Sequence, residues 1–486
     1  MGQSIVQKIL SSHLVEGRLM RGKPISIAVD QTLSTGGLAY LQFEAMGAPD
    51  IETKRSVAYI GDNIENSEFI HTFAKKHGIY FSPPENGIAE QVHMARFAAP
   101  GMTLLGDDRL TPACGSLGMI AIGGSGIEVA AAMALGNYHT FMPSVFKVEL
   151  TGTLNTDAKE IAVELLRQLR VFGDGPKIIE YCGEGVESLS TTQRATIASM
   201  SYSLGAITSV FPSDDNTRAF MKMQGREDDV IELSADDDAE YDQVLKIDIS
   251  AIIPSWADDM KKLDFSDNFE VKADSIVPPA DTAAASSLEV VKGANIKPLP
   301  SAPRLKFWIE APILLKMGDD VTTEDIIPRS TELAPYALNI PYLSDYCLTS
   351  IDADFPKRAR EEGMGILIAG KNYGKGENSE LAALVLQYLN IKCVYAISFD
   401  RQHSIDLFNA GIMALEFDED TYENTNQGDL YDLIDTYKGF MTFGHEEAAN
   451  RNSGEIFFGD FDNSDRIEDM TKVGGLLNYI NKVLAR

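Results

Sequence analysis

The sequence predicts an α/β protein, and three observations lead to that class. Short apolar, strand-like runs alternate with helix-like runs over the first 254 residues, a pattern typical of parallel sheets with crossover helices. A stretch rich in Pro, Ala and Ser at residues 255–303 then interrupts the pattern. The alternation resumes after this stretch and continues to the end of the 486-residue chain, which is long enough for several domains.

The N-terminal part divides into two predicted α/β domains, at residues 1–147 and 148–254. A short helix is expected at residues 1–14. The first domain should contain strands at 26–29, 57–60 and 101–105 with helices at 68–77 and 127–135, and the second should contain strands at 148–151 and 177–180 with helices at 158–169 and 193–204. Both domains are therefore expected to contain parallel strands joined by helices.

Residues 255–303 have the composition of a surface linker, with prolines and few large apolar residues. The last predicted domain covers residues 304–486. Its strands are expected at 305–309, 365–369, 394–397 and 412–416, with a helix at 381–388.

The charge balance excludes one class of partner. Asp and Glu number 72 against 42 Lys and Arg, which gives a net charge of −30. Such a chain repels a phosphate backbone, so we expect no nucleic-acid binding. No apolar run is long enough to span a bilayer and the N-terminus lacks a signal-peptide pattern, so the sequence predicts a cytoplasmic protein without a membrane partner.

The four cysteines are Cys114, Cys182, Cys347 and Cys393, and no two of them form a CxxC pair. Nothing in their spacing suggests a disulfide framework. Buried thiols in a reducing compartment are the simplest interpretation.

Ten short stretches occur in the same order as the motifs of one known family. They are residues 30–33 (DQTL), 40–47 (YLQFEAMG), 101–106 (GMTLLG), 115–123 (GSLGMIAIG), 178–185 (IIEYCGEG), 206–214 (AITSVFPSD), 224–229 (QGREDD), 318–328 (GDDVTTEDIIP), 370–376 (GKNYGKG) and 397–407 (ISFDRQHSIDL). On these stretches the chain resembles the aconitase and 3-isopropylmalate dehydratase family, and the bacterial aconitate hydratase branch in particular.

The resemblance implies aconitase-like α/β/α N-terminal domains, a long linker and a swivelling C-terminal α/β domain that closes over the active site. It also implies an iron–sulfur cluster held by three cysteines of a third domain. That domain would lie between residues 253 and 305, where this chain has only the short linker. None of the four cysteines matches a cluster ligand, so we expect no 4Fe-4S cluster.

Several residues that the family uses in catalysis are replaced. In the N-terminal part, Gly61-Asp62 stands where the family has Asp-His, Asp108-Arg109-Leu110-Thr111 where it has Asp-Ser-His-Thr, and Glu90 where it has a His. In the C-terminal part, GENSEL at residues 376–381 replaces the family's Gly-Ser-Ser-Arg-Glu-His, and Ala337 replaces an Arg. The serine base and the arginine that binds a substrate carboxylate are thus absent. We expect no turnover of citrate, isocitrate or isopropylmalate.

Ionisable residues have taken over most of these positions, which favours a repurposed enzyme. The predicted catalytic residues are Asp108, Glu180, Glu90, His93 and Arg109, and the predicted substrate-binding residues are Asp62, Thr111, Lys371, Asn372, Lys375, Glu377, Asn378 and Ser379. Asp107 belongs to the same acidic group. Histidine and carboxyl groups are the usual general acids and bases, whereas His403 is expected to be a packed residue.

The acids outnumber the bases at these positions, so the predicted small-molecule ligand is neutral or cationic, or a divalent metal ion binds among the carboxylates. The simpler interpretation is that the acids face solvent. Two functions stay open: a cluster-free lyase or isomerase of specialised metabolism that acts on a small carboxylate or amino-acid-like molecule, and a pseudoenzyme that only binds a ligand or partner. The missing domain would leave apolar faces uncovered, which favours a homodimer contact.

Overall fold

The computed structural model of the chain describes residues 2–61, 66–169, 176–254, 269–300, 302–434, 445–454, 456–460 and 465–485. Its contacts divide the chain into two compact units. The N-terminal unit comprises Met1–Ala39 and Pro49–Val291, and the C-terminal unit comprises Tyr40–Ala48 and Lys292–Arg486. No helix among the described residues is both long and apolar enough to cross a membrane.

The described strands and helices are numbered in chain order. The strands are β1 (Leu14–Gly17), β2 (Pro24–Ala28), β3 (Gln31–Ser34), β4 (Arg55–Tyr59), β5 (Tyr80–Ser82), β6 (Thr103–Gly106), β7 (Ile120–Gly123), β8 (Asn137–Phe141), β9 (Ser144–Thr151), β10 (Lys177–Cys182), β11 (Thr208–Val210), β12 (Gln243–Asp248), β13 (Trp308–Lys316), β14 (Gly365–Ala369), β15 (Ile391–Ala396), β16 (Met413–Glu416), β17 (Leu430–Ile434), β18 (His445–Asn450) and β19 (Ile456–Asp460). The helices are α1 (Ile5–His13), α2 (Leu38–Met46), α3 (Ser67–Lys76), α4 (Ala89–Arg96), α5 (Gly126–Leu135), α6 (Lys159–Leu169), α7 (Glu184–Glu187), α8 (Thr191–Ser199), α9 (Asp215–Met223), α10 (Thr282–Ala285), α11 (Thr323–Ile326), α12 (Ile340–Leu343), α13 (Phe355–Glu362), α14 (Ser379–Tyr388), α15 (Arg401–Asn409), α16 (Glu419–Asn424), α17 (Asp465–Val473) and α18 (Leu476–Leu484).

The five-stranded sheet of the N-terminal unit is parallel throughout, with the strand order β5-β4-β3-β6-β7. From β3 the chain builds β4 and β5 on one side, and it then crosses to the other side of β3 to build β6 and β7. In a doubly wound sheet of this kind the loops leave the two central strands in opposite directions. In this sheet the reversal lies between β3 and β6, at whose carboxyl ends sheets of this class bind their ligands.

Two further sheets complete the N-terminal unit. One is parallel, in the order β11-β10-β9-β12, and the other is antiparallel, in the order β1-β2-β8. Arg194 on α8 is fully buried, and its Nη2 lies 2.6 Å from the Asp214 carboxylate. This pair ties α8 to α9, because Asp214 also caps α9.

The segment 269–291 belongs to the N-terminal unit and is bound to it. Val277 exchanges two backbone hydrogen bonds with Phe81 of the edge strand β5, at 2.8 and 2.9 Å. Val271 and Ile276 are buried in the apolar core beneath the five-stranded sheet. An edge strand that is covered in this way cannot pair with another chain, so a segment with linker composition also protects the sheet.

The C-terminal unit contains a closed barrel in the order β13-β14-β15-β16-β19-β18-β17. The first four strands are parallel, and the remaining pairings are antiparallel. All side chains of β14 are buried, as expected for a central parallel strand.

The predicted α/β class is confirmed, and most predicted elements occur within a few residues of their expected bounds. The strand expected at 305–309 begins later, at Trp308, because Leu305 packs into the core without joining the sheet. The helix expected at 193–204 is α8 followed by a separate 3-10 helix, Tyr202–Leu204. Ser190 and Gln193 form a capping box that starts α8 early. The predicted domain bounds stay a prediction.

Candidate active site

Two loops meet at the carboxyl edge of the five-stranded sheet, where β3 and β6 lie side by side. Ser34 is the last residue of β3 and Thr35 follows it, while Asp107 and Asp108 follow directly after β6. The strand order changes direction at this point, and open α/β sheets bind their ligands at such positions. Together with Thr111, these residues are named the carboxyl-edge site.

The Asp107 carboxylate accepts three hydrogen bonds from the end of β3. The Ser34 hydroxyl donates at 2.5 Å, the Thr35 backbone N–H at 2.7 Å and the Thr35 hydroxyl at 3.1 Å. All three donors are neutral, and among the described residues Asp107 has no ion pair. Burial raises the pKa of Asp107 to about 6, with a smaller contribution from the Asp108 carboxylate, and the three hydrogen bonds oppose this rise.

Asp108 and Thr111 lie at the turn that follows. The Asp108 carboxylate accepts a hydrogen bond from the Leu110 N–H at 2.8 Å, and its backbone carbonyl accepts one from the Thr111 N–H. Thr111 is fully buried, and its hydroxyl makes no hydrogen bond with any described residue. A Cβ added to Gly106 would lie 2.2 Å from that hydroxyl oxygen, so the hydroxyl packs directly against the end of β6.

Arg109, predicted to assist catalysis, stacks on an aromatic ring. Its guanidinium carbon lies 4.2 Å from the centroid of the Tyr202 ring, a cation–π arrangement. Asp62, predicted to bind substrate, lies outside the described residues. The chain just before it adjoins the site, because the Gly61 N–H donates to the Thr35 carbonyl at 3.0 Å.

Glu90 and His93 lie on α4 and are buried. The His93 ring has both nitrogens in hydrogen bonds, with the Tyr59 hydroxyl at 3.0 Å and the Gln31 side-chain oxygen at 2.9 Å. Burial lowers the pKa of His93 to about 3, with smaller contributions from Arg226 and Arg55. The imidazole is neutral at physiological pH, and this geometry favours a structural role.

Glu90 is close enough to Cys114 for its negative charge to add to the rise that burial causes in the pKa of the Cys114 thiol. Cys114 is buried in the apolar core of the five-stranded sheet, and Glu90 is buried on α4.

Glu180 belongs to the other parallel sheet, on β10, and is fully buried. Its two carboxylate oxygens accept hydrogen bonds from the Val6 backbone N–H at 2.9 Å and from the Tyr241 hydroxyl at 2.7 Å. It thus fastens the start of α1, and among the described residues no hydrogen bond joins it to Asp108.

The predicted residues of the C-terminal unit lie in the loop after β14. The Lys371 ammonium pairs with the Glu419 carboxylate, which raises the pKa of Lys371. The Asn372 side-chain amide donates to the Asp320 carboxylate at 2.9 Å. The Lys375 carbonyl accepts from the Thr323 N–H at 3.1 Å.

The same loop ends at α14. Glu377 pairs with Arg329 at 3.0 Å, and its carbonyl accepts a hydrogen bond from the Thr323 hydroxyl. Asn378 precedes α14 with φ of 56°. The Ser379 hydroxyl lies 3.0 Å from Nδ1 of the fully buried His403. These contacts hold the loop against its neighbours.

Comparison with known proteins identifies the family. The profile of the Aconitase family (aconitate hydratase) matches residues 31–285, and that of the Aconitase C-terminal domain matches residues 348–420. The chain belongs to the aconitase family. The carboxyl-edge site lies within the first matched region.

Relatives in the aconitase family are hydratases and dehydratases. A 3-isopropylmalate dehydratase large subunit 2 of Archaeoglobus fulgidus is 34% identical over 268 residues, 52% of this chain and 64% of the relative. The mitochondrial homocitrate dehydratase of Saccharomyces cerevisiae is 39% identical over 296 residues, 52% of this chain and 37% of the relative. The chain therefore spans less than two thirds of the length of either relative. A solved 3-isopropylmalate dehydratase of Methanocaldococcus jannaschii covers 37% of this chain at 27% identity, with a TM-score of 0.30 and 96% of its own length matched.

The residues of this aconitase-family chain do not fit the iron–sulfur cluster that the resemblance implies. Cys114, Cys347 and Cys393 are buried and Cys182 is half-buried, and burial raises the pKa of Cys114, Cys182 and Cys347. Cluster ligands are thiolates that converge on one group, whereas these four cysteines lie on separate parts of the fold, after Thr111, at the end of β10, before α13 and on β15. Among the described ranges, no group of three or more His, Cys, Asp and Glu side chains is arranged to hold a metal ion.

Asp107, Ser34 and Thr35 are the residues that sequence reasoning did not single out. Asp107 appears there only as one of several acids, because nothing in a Gly-Asp-Asp run distinguishes its first carboxylate from its second. The useful signal is the reversal of strand order, which becomes visible once β3 and β6 are known to be neighbours.

Proposed function

We propose that the chain is a cluster-free lyase or isomerase that acts on a small carboxylate or amino-acid-like molecule by side-chain acid–base chemistry. The observation that carries the proposal is Asp107, a carboxyl group at the reversal of strand order whose pKa is about 6. A general base works best when its pKa lies near the working pH. Membership of a family of hydratases and dehydratases supports the reaction class.

Asp107 has the surroundings that a proton-transferring group needs. Ser34 and Thr35 fix the carboxylate through three hydrogen bonds, which restrict its orientation. Because its pKa is near neutral, both protonation states are accessible, so it can take a proton from carbon and return one. The proposed step breaks the C–H bond next to a substrate carboxylate or carbonyl group: the proton passes to the ionised Asp107 and the electron pair of the bond moves into that group to form an enolate. The enolate then takes a proton back from Asp107, as in exchange or isomerisation, or expels a leaving group from the neighbouring carbon, as in a lyase reaction.

This proposal revises the predicted catalytic set. Asp107 takes the role of base that was predicted for Asp108, Glu90, Glu180 and His93, because it lies at the reversal of strand order with a pKa of about 6, whereas Glu180 belongs to the other parallel sheet and the pKa of His93 is lowered to about 3. Asp108 and Thr111 remain as neighbours of the base. No step passes through a cluster, and we expect no turnover of citrate, isocitrate or isopropylmalate.

Solvent exchange tests the proposal with a whole class of compounds, so no single substrate has to be chosen. The purified protein is incubated in D2O with a panel of hydroxy acids and amino acids, and loss of the proton signal at the carbon next to the carboxylate is followed by NMR. We expect exchange with at least one compound, and a fall of about 100-fold or more in Asp107→Asn, as is usual for loss of a general base. Absence of exchange, or equal exchange by the variant, contradicts the proposal.

Asp248→Asn is a matched control. The Asp248 carboxylate also accepts a hydroxyl and a backbone N–H, both from Ser250 at 2.6 and 3.0 Å, but it is exposed and lies at the end of β12. Its substitution removes the same charge and the same type of turn contact. We expect exchange by this variant to equal that of the wild type.

A pseudoenzyme is the second candidate, and a specific observation favours it. Lys371 and Glu377, which were predicted to bind substrate, are paired with Glu419 and Arg329. A protein whose ionic groups are joined internally has fewer groups to offer a substrate. Ligand binding without exchange of any substrate proton would support this candidate.

A further inference from the structure

Three backbone N–H groups at the carboxyl edge of the five-stranded sheet donate to the protein's own carboxylates. Asp107 accepts the Thr35 N–H, Asp108 accepts the Leu110 N–H, and Glu128 accepts the N–H of Ser125 at the start of α5. The loop to α5 lies at the same edge, because the Gly124 N–H donates to the Gly106 carbonyl at 2.7 Å. Anionic ligands bind at such edges through loop N–H groups and helix N-termini. Here an anionic ligand would compete with three internal anions for those donors.

Asp107 and Asp108 differ in how many of their carboxylate oxygens already accept a hydrogen bond from the protein. Both Asp107 oxygens accept hydrogen bonds from Ser34 and Thr35. The Asp108 carboxylate uses one oxygen, for the Leu110 N–H, and makes no other hydrogen bond with a described residue. Asp108 can therefore bind a donor group of a ligand while Asp107 keeps its contacts.

An independent feature at the same strand end also indicates a ligand. The Thr111 hydroxyl is fully buried, packs against Gly106 and has no hydrogen-bond partner among the described residues. A buried hydroxyl without a partner costs about 1–3 kcal/mol. A polar ligand group that reaches the end of β6 would satisfy it.

We infer that the carboxyl-edge site binds the ammonium group of an amine or amino-acid-like ligand, and that Asp108 is the residue that accepts it. This inference rests on the proposed function, in which Asp107 moves protons. A cation beside two carboxylates forms charge-assisted hydrogen bonds, whereas a tricarboxylate would add like charge to the same edge.

Two matched sets of probes test the assignment. Amino-acid amides carry one ammonium group and no carboxylate, and N-acetyl amino acids with the same side chains carry one carboxylate and no ammonium group. Binding is measured at pH 7.5 by saturation-transfer NMR and calorimetry. We expect at least one amide to bind, the matching N-acetyl acid not to bind, and Asp108→Asn to weaken amide binding about tenfold or more.

Three variants separate the two proposals. Asp107→Asn should lose solvent exchange and weaken amide binding less than Asp108→Asn does, because the Asp108 carboxylate that accepts the ammonium group is unchanged. Asp108→Glu should restore part of the binding that Asp108→Asn loses, which a merely structural role for Asp108 would not predict. Asp248→Asn should bind the amide as the wild type does. Thermal melting of each variant confirms that it is folded.

Each remaining outcome overturns the assignment. Tighter binding of the N-acetyl acids, no binding of either set, amide binding that is unchanged in Asp108→Asn, or amide binding that requires added Mg²⁺ is incompatible with direct capture of an ammonium group. None of these results affects the exchange experiment on Asp107→Asn, so the proposed function fails or stands separately.

Discussion

One carboxylate lies at each end of strand β3, Asp30 just before the strand and Asp107 hydrogen-bonded to its last residues, and the two have opposite electrostatic surroundings. At the amino end, Asp30 lies 2.8 Å from the His13 imidazole and 2.6 Å from the Lys54 ammonium. Burial alone would raise the pKa of Asp30, but the hydrogen bonds from His13 and Lys54 outweigh it and hold that pKa well below its usual range. At the carboxyl end, Asp107 is hydrogen-bonded by neutral donors alone, and its pKa is raised to about 6.

The comparison separates two roles: Asp30, which has cationic partners, stabilises the fold, and Asp107, which has neutral donors alone, is suited to proton transfer. A carboxylate with cationic partners stays ionised at every physiological pH, so it stabilises the fold and cannot exchange protons usefully. A carboxylate without such partners is less stable in its ionised form and can exchange protons near neutral pH. Substitutions and pH changes at the two ends of β3 should therefore have separate effects on stability and on proton exchange.

The largest effect concerns the pH dependence of exchange. If Asp107 must be ionised to act as a base, the exchange rate should be flat above about pH 7 and fall tenfold per pH unit below about pH 6. Between the plateau and pH 4 the fall should amount to about 100-fold. The measurement is the NMR exchange assay in buffers of equal ionic strength. A rate that is independent of pH would remove Asp107 from the mechanism.

Asp30→Asn should destabilise the protein by about 2 kcal/mol, since it removes two charge-assisted hydrogen bonds from a buried position. Urea unfolding at pH 7 measures the change, with the exposed Asp248→Asn as the control. Exchange activity should be unchanged, because Asp30 lies at the opposite end of β3. A loss of activity without a loss of stability would contradict the division between the two ends.

The pairing of Asp30 with His13 makes the free energy of unfolding depend on pH, with a known sign. The pKa of His13 is raised above 6.5, chiefly by its hydrogen bond to Asp30. The contribution of His13 to the free energy of unfolding is therefore fully present below pH 6.5, and it is lost as the pH rises through the raised pKa of His13. The contribution of Asp30, whose pKa is lowered, is present above its usual value of 3.8 and is lost as the pH falls through the lowered one. The stability difference between wild type and Asp30→Asn should thus shrink toward both alkaline and strongly acidic pH.

Ser34→Ala should raise the pKa of Asp107. The Ser34 hydroxyl donates to the carboxylate and favours its ionised form, so its removal should raise the midpoint of the exchange profile by about half a pH unit to one unit. The midpoint can be confirmed by carboxyl-carbon NMR of protein labelled at aspartate. A midpoint that falls instead would mean that Ser34 does not stabilise the ionised carboxylate.

Lys54→Ala should have the smallest effect. The Lys54 side chain is 74% exposed, so solvent screens its pairing with Asp30. We expect a loss below about 1 kcal/mol in urea unfolding, smaller than that of Asp30→Asn because His13 remains. A loss equal to that of Asp30→Asn would assign the whole stabilisation to Lys54.

Much of the fold could be predicted because local patterns specify it. The helix predicted at 127–135 occurs as α5, where Ser125 and Glu128 form a capping box, and the strand predicted at 365–369 occurs as β14. The family could also be recognised from short motifs in their order. The candidate site was less predictable, because His93 and Glu180 have the right chemistry and yet are bonded to residues far away in sequence.

Composition, periodicity and short-range spacing were enough to predict the α/β class, most of the helices and strands and the absence of a CxxC pair, while the ordered motifs resembled those of the aconitase family. A single chain displays these properties directly. The packing of the folded chain was needed to show that Asp107 accepts a hydrogen bond from the hydroxyl of Ser34, 73 residues away in the sequence. It was also needed to show that Asp30 pairs with both His13 and Lys54. Burial and charge pairing depend on which strands become neighbours, and the order of strands in a sheet is not a local property of the sequence.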